Sequence, residues 1–404
     1  MMKKHLAIIC GIFYPNPSAT GQCAKRFAEL LSDEYDIDMI CMSEDEKTAE
    51  VNLGNGIRVH KVAGHRMSAE GRSRGGLKKL LHLLGGVQIK TRLLGNLTWY
   101  RRAAQRELER LYSERPLVAV FSICSPFAAH FAAMDFKRAH PSVRWCGYTV
   151  DPYAAKNRIR PVWCSFERLI TKENSVLRRM DAVLLSEEVY KNRPELYEGC
   201  RACKELPYIL LDFPEGTVEH RFFDEADINC VYAGSFYQDI RNPECTLYQF
   251  SHMNDPRIKL HLFSSGCEEL VRQYAAQSSA IVVHPRVTAD EMVQVYREAD
   301  VLVNIGNATA EFLPSKTFEY IATGKPIVSY FYKEQDSCVL GRYPLCCQIP
   351  NTMDYNSVES VEGFVLENSK RILSADEIRT IYKAHSPRYI AQVLRGTLEV
   401  IRER

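Results

Sequence analysis

Two carboxylates, Glu311 and Glu319, stand eight positions apart in the stretch Glu-Phe-Leu-Pro-Ser-Lys-Thr-Phe-Glu-Tyr-Ile-Ala-Thr-Gly-Lys-Pro-Ile-Val that runs from Glu311 to Val328. A carboxylate accepts two hydroxyl hydrogens well, so each of the pair is equipped to grip a vicinal diol. Between them lie Ser315 and Lys316, a hydroxyl and a cation, where a helix has to begin: Pro314 is excluded from a helix interior but suits its first turn. The free backbone N–H groups of such a helix start, near Phe312, Leu313 and Ser315, make an anion site suited to phosphate. Gly324 closes the helix and Lys325-Pro326 leads into a short buried strand, so the unit reads loop, short helix, turn, strand. Its Gly-Lys pair is not a phosphate-binding P-loop, because Glu319 stands where the first Gly is needed and Pro326 where Ser or Thr is needed. The plain alternative is a surface helix with two solvated Glu.

This stretch resembles the Glu-x7-Glu signature of nucleotide-sugar-dependent glycosyltransferases with the GT-B fold, especially the large retaining family four. Its Pro-Ser-Lys and Thr-Gly-Lys-Pro frame is similar to that of bacterial surface-polysaccharide enzymes. The resemblance implies an α/β protein of two facing doubly wound domains with the active site in the cleft between them. It also implies transfer of a sugar, with retention, from a nucleoside diphosphate sugar to a hydroxyl of a saccharide or lipid-linked acceptor, with no metal or other cofactor. Glu319 would hold the ribose diol of the donor and Glu311 a hydroxyl of its sugar. Lys316 and the N–H groups near Phe312, Leu313 and Ser315 would neutralise the departing diphosphate. Two other readings stay open: a nucleotide-sugar epimerase of the same layout, and a non-catalytic partner subunit.

A chain of 404 residues is too long for one ordinary core and suggests two domains. Its 46% hydrophobic and 25% charged residues are those of a soluble globular protein, and a net charge of +2 supplies no bulk field for nucleic acid. The 14 cysteines are scattered and no export signal accompanies them, so reduced thiols in a cytoplasm are expected. Cys200-x-x-Cys203 has a metal-like or redox-like spacing but reads as two loop thiols. Asp36-Ile-Asp38 looks like the metal-binding pair of the other large glycosyltransferase fold, yet it sits at a strand entrance and reads as structural. No window is long and apolar enough to span a membrane.

In the first half, the continuous apolar run Leu6 to Ile12 reads as a buried parallel strand. The loop after it, Tyr14 to Gln22, carries Gly21, which would let the backbone approach the donor; a helix with Cys23, Phe27, Leu30 and Leu31 on one face follows. Ile37 to Cys41, Val118 to Ile123, Val143 to Tyr148 and Ala182 to Leu185 are further strands, with helices at Phe127 to Arg138 and Trp163 to Arg179. This alternation predicts a parallel sheet covered on both faces, with ligands at the carboxyl ends of its strands. Ser125 and Asp151 fall at such ends. Asp151 is placed to orient or deprotonate an acceptor hydroxyl, and Ser125 and His130 are carried as acceptor-side candidates. The plain alternatives are turn chemistry ahead of Pro126 and Pro152, and a satisfied structural histidine. From His65 to Arg110 the chain holds eleven cations against three carboxylates, with Leu77, Leu80, Leu81, Leu84 and Val87 at helical spacing. Such a segment either lies on the anionic inner face of a membrane or turns its leucines into the domain core.

In the second half, Leu206 to Pro214 and the polar run beyond it read as the crossing to a second domain. A strand from Asn229 ends at Gly234 and Ser235, and Arg241 follows. By the resemblance these meet the donor, and Arg241 supplies a guanidinium fork matched to phosphate oxygens. Lys259 to Phe263 and Ile281 to Val283 are strands. The segment from His284 through Arg286 opens a helix where, by the resemblance, the nucleobase is read. The expected division is residues 1–205, residues 206–385, and a terminal helix over 386–404 that crosses back to the first domain.

Overall fold

Short apolar runs bounded by turn residues become central strands when helices cover both of their faces, and here they build two separate sheets. The structure, a computed structural model, describes residues 3–15, 18–43, 47–63, 98–154, 166–219, 221–308, 316–332, 339–354 and 356–399. The chain divides into two compact units, one formed by Met1–Tyr208 with Pro387–Arg404 and the other by Ile209–Ser386.

The first unit runs β1 (Lys4–Ile12), α1 (Ala19–Leu31), β2 (Tyr35–Met42), β3 (Ala49–Gly54), β4 (Ile57–Val62), α2 (Thr98–Glu114), β5 (Ala119–Cys124), α3 (Ala128–Ala139), β6 (Arg144–Thr149), α4 (Phe166–Leu177), β7 (Ala182–Leu185), α5 (Glu187–Asn192) and β8 (Cys203–Glu205). Its sheet has the order β3-β4-β2-β1-β5-β6-β7-β8, parallel throughout except for the antiparallel β3–β4 pair. The order reverses between β1 and β5, which makes their carboxyl ends a topological switch point. The β3–β4 hairpin was not anticipated. Its signal is the Asn55-Gly56 pair, whose φ values of 53° and 80° form the tight turn.

Helix α2 resolves part of the basic segment. It buries Tyr100, Ala103, Ala104, Leu108 and Leu111, so from Thr98 onward the apolar row belongs to the unit's core. Two of its cations are matched by carboxylates, Arg101 by Asp135 and Arg110 by Glu107. The leucine row from Leu77 to Val87 lies outside the described residues. Among the described residues no helix is long and apolar enough to cross a membrane.

At the other end of this sheet the Asp-x-Asp pair is consumed structurally. Asp36 pairs with Arg115 at 2.6 Å. Asp38, with no exposed surface, accepts from His5 Nε2 at 2.6 Å, His60 Nε2 at 2.7 Å, and Arg58 Nε and Nη2 at 2.8 and 2.7 Å. Burial pushes the Asp38 carboxyl up, but the bonds from His5, His60 and Arg58 outweigh it and hold the group far below the usual carboxylate range. Burial pulls His60 down, yet Asp38 on one side and Glu107 on the other raise it to about 9.

The second unit runs β9 (Ile228–Ser235), α6 (Glu244–Ser251), β10 (Ile258–Ser265), α7 (Glu268–Gln277), β11 (Ile281–Val283), α8 (Ala289–Glu298), β12 (Val301–Ile305), α9 (Lys316–Thr323), β13 (Ile327–Phe331), β14 (Cys346–Pro350), α10 (Asn356–Asn368) and α11 (Ala375–Ile381). Its six strands are all parallel in the order β11-β10-β9-β12-β13-β14, the doubly wound order with a switch point between β9 and β12. The last helix, α12 (Pro387–Leu398), returns to the first unit, where the Thr397 carbonyl accepts from Arg144 Nε at 2.8 Å.

Candidate functional site

At the switch point of the second unit, three segments distant in sequence are tied together. Strand β9 ends in Gly234 and Ser235, and Ser235 Oγ lies 3.1 Å from Ser265 Oγ at the end of β10. The loop that follows closes on itself: Arg241 N–H donates to the Tyr237 carbonyl at 2.7 Å and Tyr237 N–H to that of Arg241 at 3.1 Å. It is joined to the segment after β12 by Ala308 N–H, which donates to the Ile240 carbonyl at 2.7 Å. Arg241 Nε and Nη2 donate to Asn307 Oδ1 at 3.1 and 2.7 Å. Asn242 N–H donates to the Tyr332 hydroxyl at 2.9 Å, which adds β13 to the same frame.

Helix α9 is pinned to β9 by a residue that sequence reasoning quoted but gave no role. The buried Tyr320 hydroxyl accepts from Ala233 N–H at 2.9 Å and donates to the Ala233 carbonyl at 3.3 Å. Glu319 and Arg241 both act electrostatically on this hydroxyl. Tyr320→Phe leaves the Ala233 N–H buried without that acceptor, and we expect a loss of about 1–3 kcal/mol of stability. Urea unfolding checks this; an unchanged midpoint would mean that the pin contributes nothing.

Of the residues expected on this side, Glu311, Phe312, Leu313 and Ser315 lie outside the described residues. Lys316 opens α9, and Gly324 ends it in a left-handed conformation, φ 76°, where a Cβ would stand 2.3 Å from the Leu373 carbonyl. Lys316 and Glu319 were expected to meet different parts of a ligand; instead they meet each other, Nζ to Oε2, at 2.8 Å. They are three positions apart on one helix and so share a face. Both are partly exposed, so the pair is worth about 0–1 kcal/mol and exchanges readily for other partners. Arg286 is exposed between β11 and α8. The first turn of α8 is closed by its own capping box, Thr288 with Glu291.

The first unit corrects two expectations. Gly21 is not in a loop. Ser18 caps α1 and accepts the Gly21 N–H at 3.2 Å, so that donor is spent on the helix start rather than offered to a ligand. His130 is fully buried, with Nδ1 2.8 Å from Ser122 Oγ and Nε2 3.4 Å from Thr149 Oγ1. Burial pulls its pKa to about 3, so the ring is a neutral core group and not a contact for an acceptor.

Ser125 and Asp151 do lie at strand ends. The Ser125 carbonyl accepts from Thr20 Oγ1 at 3.0 Å, and a Cβ on Gly11 would stand 2.8 Å from it, so the ends of β1 and β5 abut. Asp151 is in the turn after β6, partly exposed, and its carbonyl accepts from Cys124 Sγ at 3.4 Å. Glu173 of α4, another residue missed from sequence, holds that turn. Its two carboxylate oxygens accept from Tyr153 N–H at 2.8 Å and Ala154 N–H at 2.9 Å, while burial pushes its pKa up to about 7. A Glu inside an amphipathic helix carries no sign that its partners are backbone groups about twenty residues earlier. Among the described residues, no group of three or more His, Cys, Asp or Glu is gathered as a metal site requires.

No protein-family model and no curated protein sequence matches the chain. Solved structures do. Sucrose-phosphate synthase from Thermosynechococcus elongatus superposes with a TM-score of 0.71 at 12% identity, covering 98% of each chain. An α,α-trehalose-phosphate synthase (UDP-forming) from Burkholderia xenovorans, in complex with glucose-6-phosphate, has a TM-score of 0.58 at 8% identity, covering 98% of this chain and 99% of its own. HepE from Anabaena, in complex with UDP and glucose, has a TM-score of 0.60 at 9% identity, covering 98% and 99%. At such identities the likeness is one of fold, and with two doubly wound units over nearly the whole length, that fold is GT-B.

Proposed function

We propose that this chain is a glycosyltransferase that moves a sugar from a nucleoside diphosphate sugar to an acceptor hydroxyl. The observation that carries the reading is Arg241: a half-buried guanidinium at the switch point of β9 and β12, paired with no carboxylate among the described residues. An uncompensated cation at the carboxyl ends of parallel strands, beside the end of β9 at Gly234, suits a diphosphate. Leaving-group charge grows in the transition state, so fixed donors at this point stabilise that state more than the ground state. Lys316 joins Arg241 once a phosphate draws it away from Glu319. The freed Glu319 then accepts the two hydroxyls of the ribose, and Glu311 a hydroxyl of the donor sugar. The N–H groups near Phe312, Leu313 and Ser315 complete the anion site, and Ser235 and Arg286 flank it. On the first unit, Asp151, in the turn held by Glu173, orients the acceptor hydroxyl, with Ser125 at the neighbouring strand end.

The wording of residues 311–328 supports a finer reading, that of a retaining family-four enzyme in cell-surface polysaccharide or glycolipid synthesis. Its lipid-linked acceptor would lie at the inner face of a membrane met by the basic segment 65–110. The glucose-6-phosphate bound by a structural neighbour supports a different acceptor, a sugar phosphate. Incubating one radiolabelled donor with glucose 6-phosphate and, separately, with membrane lipid extract distinguishes the two by the product that carries the label.

A thermal-shift panel with UDP, GDP, ADP, CMP and their sugar conjugates tests the core of the proposal, since a ligand at about 100 times its Kd adds roughly 2.7 kcal/mol. No shift with any nucleotide would overturn it. In Glu319→Ala, loss of hydrogen bonds to a charged group, about 1.5–3 kcal/mol each, lowers affinity for the responding nucleotide at least tenfold by calorimetry. Unchanged affinity would remove the ribose role from Glu319.

A further inference from the structure

Among the described residues, most arginines that make a short bidentate contact make it with a carboxylate: Arg58 with Asp38, Arg101 with Asp135, Arg257 with Asp255, Arg379 with Asp212. Arg241 differs. Its Nε and Nη2 converge on a single oxygen, Oδ1 of Asn307; among the described residues its other side-chain contacts are neutral too, Nη1 with the Ser235 carbonyl at 3.5 Å and the guanidinium with the Tyr232 hydroxyl. Asn307 is buried, 6% exposed, and its neighbour Ala308 clamps the Arg241 loop through Ile240.

A guanidinium only donates, so the amide atom facing it must be the oxygen, and the amide plane is fixed by that requirement. A carboxylate in the same place would hold the fork equally well but would cancel its charge. An amide oxygen orients the fork without adding a negative charge beside it. We propose that Asn307 is the positioning residue for the diphosphate-binding cation, an orienting group chosen for being neutral. The inference rests on the nucleotide-sugar reading above and adds to it a residue that acts through Arg241.

The test uses UDP and UMP as probes, because only UDP carries the second phosphate on which Arg241 acts. Binding of both is measured by calorimetry to the full chain and to Asn307→Ala, Asn307→Asp, Arg241→Ala and the Arg241→Ala/Asn307→Ala double variant. The full chain binds UDP more tightly than UMP. Asn307→Ala reduces that preference about tenfold and leaves UMP affinity unchanged. Asn307→Asp, which keeps an oxygen in place but adds a negative charge, reduces it as far as Arg241→Ala does. The double variant is no weaker than Arg241→Ala alone, since the asparagine acts only through the arginine. Retained UMP binding reports that each variant is folded, and Asn307→Asp serves where the alanine variant is not.

Equal losses for UDP and UMP in Asn307→Ala, additive losses in the double variant, or full UDP affinity in Asn307→Asp would each overturn the inference while leaving the nucleotide reading standing. A full chain that binds UDP no better than UMP would overturn the diphosphate reading, and the inference with it.

Discussion

Under the proposed function, Arg241→Ala is expected to lower the rate of sugar transfer by about 10²–10³-fold, the effect of deleting one fixed donor to a developing oxyanion. The magnitude follows from where the group sits. Its loop is closed by the Tyr237–Arg241 backbone pair, clamped to the segment after β12 by Ala308 and held to β13 through Asn242. On the proposed function, a cation so restrained would not reorganise as charge moves onto the leaving diphosphate, and no carboxylate among the described residues is paired with it. Arg241→Lys recovers only part of the loss, because a point charge on a flexible stem cannot use the Asn307 oxygen to set its direction. The measurement is initial rate at saturating and at limiting donor. Arg241→Ala lowers kcat and kcat/KM together if the arginine acts mainly in the transition state, and raises KM alone if it only binds the donor. Wild-type rates in Arg241→Ala would take the cation out of the mechanism.

Asp38→Ala destabilises the protein by about 3–5 kcal/mol, the cost of removing one partner from a buried ionic set. His5, His60 and Arg58 all donate to this one carboxylate, and its loss leaves the Nε2 atoms of two nearly fully buried imidazoles without their acceptor. The network also sets a pH window. The Asp38 carboxyl is depressed in the fold, so its contribution is present above the unfolded value of about 3.9 and is lost on acidification below it. His60 is raised to about 9, so its contribution is complete below the unfolded value of about 6.5 and fades as pH rises through 9. The network therefore contributes most between roughly pH 4.5 and 6.5. Melting temperatures from pH 4 to 10 check this: the wild-type protein loses stability between about pH 6.5 and 9, and Asp38→Asn, which no longer raises His60, loses less over that span. Parallel curves for the two would show that His60 does not titrate against Asp38.

The strands were legible because their signal is local. A run such as Ala182–Leu185 or Ile281–Val283 is apolar, short and bounded by turn residues, and both strands occur where that pattern puts them, to the residue. The close of the α9 helix was legible too, since Gly324 acts through its own backbone. The β3–β4 hairpin is signalled by Asn55-Gly56, a two-residue turn and not an apolar run. The site was only half legible. Arg241, Lys316 and Glu319 could be picked out as groups able to do chemistry, but residue type does not reveal what each one touches. Asn307 lies 66 positions from Arg241, and Tyr320 lies 87 from Ala233. These contacts exist because a doubly wound sheet sets β9 beside β12 and brings the loops beyond both to one edge. The same long-range packing took His130 into the core, whereas the Ser18 cap on the Gly21 amide and the Lys316–Glu319 pair are local contacts three positions apart. Sequence by itself determined the alternation of strand and helix, and hence the fold class, because burial periodicity is carried within each segment. Only the tertiary structure decided which charges are neutralised and which are left to act, because that depends on neighbours brought together across tens of residues by the winding of the sheet.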